Sequence, residues 1–254
     1  MRTQEKHATR FRSIQTSLLF VIVPAVIISM AVLSLMGYLS SKAIIQTSAG
    51  NEMSQCLSVA MGSIEMSLSN NRMVAETMAR GVEAVQRQAV KGEQTASDWD
   101  AAAYQEILTS FVGSNPETFG GGIWFEPYQY RPEQRYFSPY CMRQNGAVTY
   151  VDNYSLGEGV YYTDQDWYTN AANTTQKSVW SAPYYDEFAQ ISMVTSSAPI
   201  YDETGRFLGV ATADIDLTQM QQMVLSLDVV ANGRAFLIDD TGVYIADEDS
   251  EKLL

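Results

Sequence analysis

Hydrophobic positions run unbroken by charge from Leu18 to Tyr38 (LLFVIVPAVIISMAVLSLMGY), a stretch of 21 residues. At 1.5 Å per residue, a helix of that length covers about 30 Å of hydrocarbon. Pro24 is compatible with such a span, because one kink can be re-satisfied locally. From Leu39 to about Gln88 the pattern changes. Ile44, Ile45, Met53, Leu57, Met61, Ile64, Leu68, Met73, Met78, Val82 and Val85 recur mostly three to five residues apart among polar positions. This spacing predicts an amphipathic helix, either continuous with the apolar stretch or broken near Gly50-Asn51 or Asn70-Asn71. About 50 residues exceeds an ordinary globular helix. One stripe is therefore expected to pack on a folded domain and another on a partner subunit.

Gly92–Ser97 reads as a polar linker, and Asp98–Val112 as a second helix with Ser97 at its N-cap. Beyond Asn115-Pro116 the pattern shortens to β-type runs: Gly122–Phe125, Gln134–Tyr140, Ala147–Val151, Ser178–Ala182, Ile191–Ile200 and Phe207–Ile215. Turn residues separate them, and Asn145-Gly146 between two such runs is a strong hairpin signal. Asp166–Asn173 predicts a short helix. Leu217–Leu227 predicts another, with Asp216 as its best-placed cap. Arg234–Asp239 and Val243–Ala246 form a second hairpin around Asp240-Thr241-Gly242. The expected class is α+β, a long helix laid against a mostly antiparallel sheet.

Charge sharpens this picture. Arg2, Lys6, Arg10 and Arg12 against Glu5 give residues 1–12 a charge of +3, so with a total of −13 the remainder carries −16. Positive charge beside the apolar span places the N-terminus in the cytoplasm and the rest outside. A cleaved signal peptide is the alternative, but 21 apolar residues exceed the usual core and no clear cleavage site follows. So acidic a domain repels phosphate backbones, which excludes nucleic acid as a partner. The single histidine, His7, lies in the basic leader, and Cys56 and Cys141 share no motif. A Cys/His zinc site, a Ser-His-Asp triad and a Cys-His dyad are thereby excluded, and the cysteines read as isolated thiols. Without a Gly-rich nucleotide loop or metal cluster, no cofactor is expected.

Candidate chemistry concentrates between Val160 and Asp214, in VYYTDQDWYTNA, WSAPYYDE and GVATADIDL. Trp167, Tyr168, Tyr184, Asp186 and Asp214 are the residues expected to line a small-molecule pocket. Rings with negative faces beside two carboxylates suit a cationic amine, held by charge-assisted hydrogen bonds and cation–π attraction. Other roles stand beside these: Trp167-Tyr168 as core, Asp214 as a helix cap, and Trp124 as core or as pocket floor. Tyr184 and Tyr185 alternate along a strand, so only one of them faces the pocket.

On these residues the chain resembles the double Cache family of extracytoplasmic sensors, found in bacterial methyl-accepting chemotaxis receptors, histidine kinases and diguanylate cyclases. The resemblance implies a cytoplasmic leader (1–12), a transmembrane helix (13–38), a long helix plus a membrane-distal PAS-like module (39–220), and the start of a membrane-proximal PAS-like module (221–254). It further implies a receptor of the bacterial inner membrane, with its sensor outside and a homodimer formed through the long helix. Family members continue into a second membrane helix and a signalling region, so a partial receptor is expected. Its amino-acid-binding members share Arg-x-Trp-Tyr, then Tyr-x-Asp, then an Asp ending a later strand. Trp167-Tyr168, Tyr184-Tyr185-Asp186 and Asp214 match. By that match Asp186 and Asp214 would hold a ligand ammonium, walled by Trp167, Tyr168 and Tyr184, and Tyr161 would be the upstream tyrosine.

The family arginine, which pairs with an α-carboxylate, is Gln165 here. A guanidinium fork gives two charge-assisted bonds where Gln gives one neutral donor pair. A carboxylate-bearing ligand should lose about tenfold in affinity or more. The expected function is therefore sensing, without chemistry, of a small cationic or zwitterionic ligand of amine type, such as a biogenic, methylated or quaternary amine. Alternatives are an α-amino acid on the same fold, an output through a kinase or cyclase, and, remotely, a membrane-anchored hydrolase using Asp186 and Asp214 as an acid/base pair.

Overall fold

Few strong breakers interrupt residues 14–90, and the helix they form is correspondingly long. In the computed structural model, which describes residues 14–90, 101–151, 154, 159–227 and 233–252, α1 runs from Ile14 to Val90. Neither Gly50-Asn51 nor Asn70-Asn71 breaks it. Asn71 stays helical because its side chain is satisfied in place: Nδ2 donates to the Ser67 carbonyl, and Oδ1 accepts from Thr118 Oγ1 at 2.9 Å. The chain divides into two units, Met1–Gln55 and Cys56–Leu254. In the first, the apolar side chains from Leu18 to Tyr38 are exposed, on a helix long and apolar enough to cross a membrane.

The second unit is built on an antiparallel sheet. After α2 (Ala101–Ser114) come β1 (Gly120–Phe125), β2 (Tyr140–Gln144), β3 (Ala147–Val151), α3 (Asp166–Ala172), β4 (Val179–Trp180), β5 (Tyr184–Asp186), β6 (Ile191–Tyr201), β7 (Phe207–Asp216) and α4 (Leu217–Leu225). The order across the sheet is β3-β2-β1-β7-β6-β4, with β5 also pairing β6. Asn145 and Gly146 close the β2–β3 hairpin with φ of 51° and 81°, the left-handed pair that a tight two-residue turn requires. Asp216 caps α4 by accepting from the Thr218 amide at 2.8 Å. A separate hairpin of β8 (Leu237–Ile238) and β9 (Tyr244–Ala246) follows. The α+β class and the antiparallel pairing are as expected.

Three details differ from the sequence reading. Gln134–Tyr140 is not a strand; β2 begins only at Tyr140. Pro139 has no N–H to continue a ladder, although its carbonyl still accepts from the Ile123 amide. The run Ser178–Ala182 narrows to Val179–Trp180, and Pro183 separates it from β5, a strand outside the six β-type runs but the one expected to carry Tyr184 and Tyr185. The proposed start of α2 at Asp98, with Ser97 as cap, lies outside the described residues.

Strand alternation sorts the side chains into two layers. On one face, Ile123, Phe125, Cys141, Ala198, Ala211 and Ala213 meet Val74, Ala75, Met78, Ala79 and Val82 of α1 and Tyr104, Leu108 and Val112 of α2. A Cβ at Gly121 would sit 2.8 Å from the Thr212 carbonyl and 3.3 Å from Met78 Cε. Polar ties fix the helix as well: Ser178 Oγ donates to Glu76 at 2.7 Å, and the Tyr201 amide donates to Glu83 at 3.1 Å. The opposite face carries a second cluster, mostly aromatic, and that is where the candidate site forms.

Candidate functional site

Register places the site. Asp214 on β7 lies opposite Thr195 on β6 and Gly120 on β1. Two positions along, Thr212 lies opposite Gly122. Because Gly120 and Gly122 have no side chains, aromatic groups lie down over β1. A Cβ at Gly120 would fall 2.1 Å from Tyr140 Oη, and one at Gly122 would fall 2.8 Å from the Trp124 ring. The glycine run thus makes a floor wide enough for an indole and a phenol.

Trp124 is the centre of the aromatic wall. Its ring lies 4.8 Å from Trp167, 5.2 Å from Tyr154 and 5.8 Å from Tyr140, centroid to centroid. Its Nε1 donates to Thr212 Oγ1 at 2.8 Å, which fixes the indole against the sheet. Tyr154 is set edge-on against Tyr140 at 4.8 Å, and Phe188 covers its other side at 4.5 Å. These distances fall in the range where aromatic pairs attract beyond their buried area.

Both carboxylates are buried and hydrogen-bonded by neutral groups. Asp214 accepts from Tyr140 Oη at 2.7 Å and from Thr195 Oγ1 at 2.7 Å. Since Thr195 has one hydroxyl proton and spends it on Asp214, the 2.8 Å contact with Tyr184 Oη runs from the tyrosine to the threonine. Asp186 accepts from Tyr154 Oη at 2.6 Å on both oxygens, and from the Ala189 amide at 2.7 Å. Burial pushes Asp214 up to about 7; the hydrogen bonds from Thr195 and Tyr140 oppose that rise, and the charge of Asp186 adds to it. Burial likewise raises Tyr140, Tyr154 and Tyr184, which keeps all three hydroxyls as donors at neutral pH.

These groups enclose one cleft lined by Trp124, Tyr140, Tyr154, Trp167, Tyr184, Asp186, Met193, Thr195, Thr212 and Asp214. Its cavity volume is about 10 Å³. That is the room of a single water. None of the lining residues is a lysine, arginine or histidine.

Of the residues expected from sequence, Trp167, Tyr184, Asp186 and Asp214 line the cleft. Tyr185 points outward and Tyr184 inward, as the strand alternation requires. Tyr168 is buried beside the cleft, its hydroxyl donating to Glu126 at 2.7 Å. Gln165 sits at the N-cap of α3 with Nε2 reaching the Tyr161 carbonyl at 3.4 Å, and Tyr161 is exposed, stacked on Tyr136. None of these three is among the lining residues. Trp124, for which core and floor were both open, is buried and lines the cleft. Tyr140, Tyr154, Met193, Thr195 and Thr212 were not singled out from sequence. Gly120-Gly121-Gly122 inside a strand run was the available signal, since glycine there marks a close approach.

Residues 104–222 match the family described as methyl-accepting chemotaxis protein-like, first PDC sensor domain. The methyl-accepting chemotaxis protein McpC of Bacillus subtilis is 38% identical over 84 residues, which is 33% of this chain and 13% of that protein. McpA of Pseudomonas putida is 24% identical over 208 residues, 80% of this chain and 31% of that protein. The chain thus spans a third or less of the length of these relatives. Among solved structures, the ligand-binding domain of the Campylobacter jejuni chemoreceptor Tlp3 in complex with L-valine superposes with a TM-score of 0.55 at 17% identity, covering 78% of this chain and 70% of that one. At that identity the likeness establishes the fold alone.

Proposed function

We propose, from the premise that residues 104–222 are a first PDC sensor domain of the methyl-accepting chemotaxis protein type, that this chain is the extracytoplasmic sensing part of a membrane chemoreceptor and that its ligand carries a cationic amine. One observation carries the amine: two buried carboxylates, Asp186 and Asp214, line a single cleft walled by rings, and no cationic side chain lines it. An ammonium supplies the missing positive charge. It gains charge-assisted hydrogen bonds to carboxylate oxygen and cation–π contact with Trp124 and Trp167. A free α-carboxylate would find only neutral side-chain donors, hydroxyl and indole.

In this proposal the sensor does no chemistry. Ligand binding draws β5, β6 and β7 together around the ammonium and biases α1 through its ties to Thr118, Ser178 and Tyr201. The basic leader stays in the cytoplasm, and Leu18–Tyr38 crosses the inner membrane. Leu57, Met61, Met66 and Met73 remain exposed on α1, and a second copy covers them in the proposed homodimer. Gly233–Ser250 opens a membrane-proximal module.

An α-amino acid is the second reading, favoured by the fold likeness to a domain solved with L-valine. Calorimetric titration of the full chain in nanodiscs, against small amines and against standard α-amino acids, separates the two. Amine binding that disappears in both Asp186→Ala and Asp214→Ala, with cooperative unfolding retained, is the expected result. Tight binding of common α-amino acids with no response to amines would refute the proposal.

A further inference from the structure

We infer that Tyr154 is a built-in competitor for the ligand's place at Asp186, so that the cleft selects an ammonium that still carries N–H over a quaternary one. This rests on the amine reading of the site and adds to it the group that the amine must displace. The Tyr154 hydroxyl lies 2.6 Å from both oxygens of Asp186, bridging the carboxylate edge. Asp186 is 6% exposed, so solvent reaches very little of it. The cleft beside it has room for about one water molecule. Even methylammonium is larger than that. A cation therefore reaches Asp186 only when a wall group moves, and Tyr154 is the wall group that holds the oxygens.

The cover over Tyr154 is local. Phe188, 40% exposed, lies on its ring at 4.5 Å. Phe188 belongs to the β5–β6 turn, which closes on Asp186 itself. The Ala189 amide donates to Asp186 Oδ1 at 2.7 Å, and the Gln190 amide donates to the Asp186 carbonyl at 2.7 Å. Gln190 has φ of 60°, a left-handed position in a short turn. Asp186 thus organises the phenol over it and the turn that covers that phenol. An incoming N–H replaces the hydroxyl donor one for one. A tetramethylammonium has no donor to give, and displacing Tyr154 would leave a buried carboxylate short of a hydrogen bond, so the quaternary ion stays off Asp186 with Tyr154 in place.

The test uses the full chain in nanodiscs at pH 8, with methylammonium and tetramethylammonium as probes in calorimetry. Tyr154→Phe keeps the ring contacts and removes the competing donor. Methylammonium affinity should rise about tenfold, the scale of one hydrogen bond to a charged group. Tetramethylammonium should gain less. Unchanged or weaker methylammonium binding in Tyr154→Phe, equal gains for both probes, or binding of neither by both proteins would each overturn the inference. Should Tyr154→Phe fail to unfold cooperatively, Phe188→Ala decides the matter by stopped-flow tryptophan fluorescence: faster methylammonium association supports the inference, and an unchanged rate overturns it. Asp186→Ala separates the two levels of argument. If it binds methylammonium like the parent chain, the amine reading itself fails; if it does not bind while Tyr154→Phe shows no gain, only the competitor is wrong.

Discussion

Acidification should drive the cationic ligand out of the cleft, and the size of the effect follows from Asp214. This carboxylate is buried among Tyr140, Tyr184 and Thr195, with Asp186 the other charged group on the cleft wall, and burial pushes it up to about 7. A bound cation requires the ionised form, whereas a proton occupies the other. Apparent Kd then scales as one plus the ratio of protonated to ionised Asp214. Going from pH 8 to pH 6 weakens binding about tenfold, and pH 5 weakens it about a hundredfold, one decade per unit below 7. Calorimetry from pH 5 to 8.5, in buffers of different ionisation enthalpy, reads both the affinity and the protons released per ligand. Release should approach one below pH 7 and vanish above 8. Stability runs in the matching direction. The folded form binds this proton more tightly than the unfolded chain does, so unfolding free energy falls as pH rises from about 4 to 7, by roughly 4 kcal/mol at the full shift. The ligand's positive charge offsets that loss, and ligand-induced stabilisation should therefore be greatest above pH 7. An amine affinity that is flat across this range, or that improves on acidification, would refute the reasoning.

Three further perturbations probe the frame around the carboxylates. Gly120→Ala places a methyl group 2.1 Å from Tyr140 Oη, so the phenol must leave Asp214; a stability loss of about 1–3 kcal/mol by denaturant titration, together with weakened amine binding, is expected. Asn71→Ala strands the buried Thr118 hydroxyl; it should cost about 1–3 kcal/mol while leaving amine affinity largely intact, because Asn71 lies on the helix side of the sheet. Thr195→Val removes the donor to Asp214 and the acceptor for Tyr184 together; its amine binding should weaken with a midpoint in pH shifted above 7, which the same calorimetric series would show.

Local signals in the chain specified local structure because each depends on neighbours in sequence. The charge-free run from Leu18, the helical spacing to Gln88, Asn145-Gly146 at the hairpin and Asp216 ahead of Thr218 all act within a few residues, and all are legible without a fold. The two acids and Tyr184 could be picked out by their order along the chain, and strand alternation then decides between Tyr184 and Tyr185. Tyr140, Tyr154, Thr195, Thr212 and Trp124 could not be assigned to the site in the same way. They come from separate strands and a loop, and nothing in sequence spacing says that Asp214 lies opposite Thr195 and Gly120. Strand register decided that, through hydrogen-bonded pairing between segments up to about a hundred residues apart. The same long-range pairing made Gly120 and Gly122 the floor of a cleft. It also made Asp214 a carboxylate that titrates near neutrality, since burial is a property of the packed sheet and not of the residue.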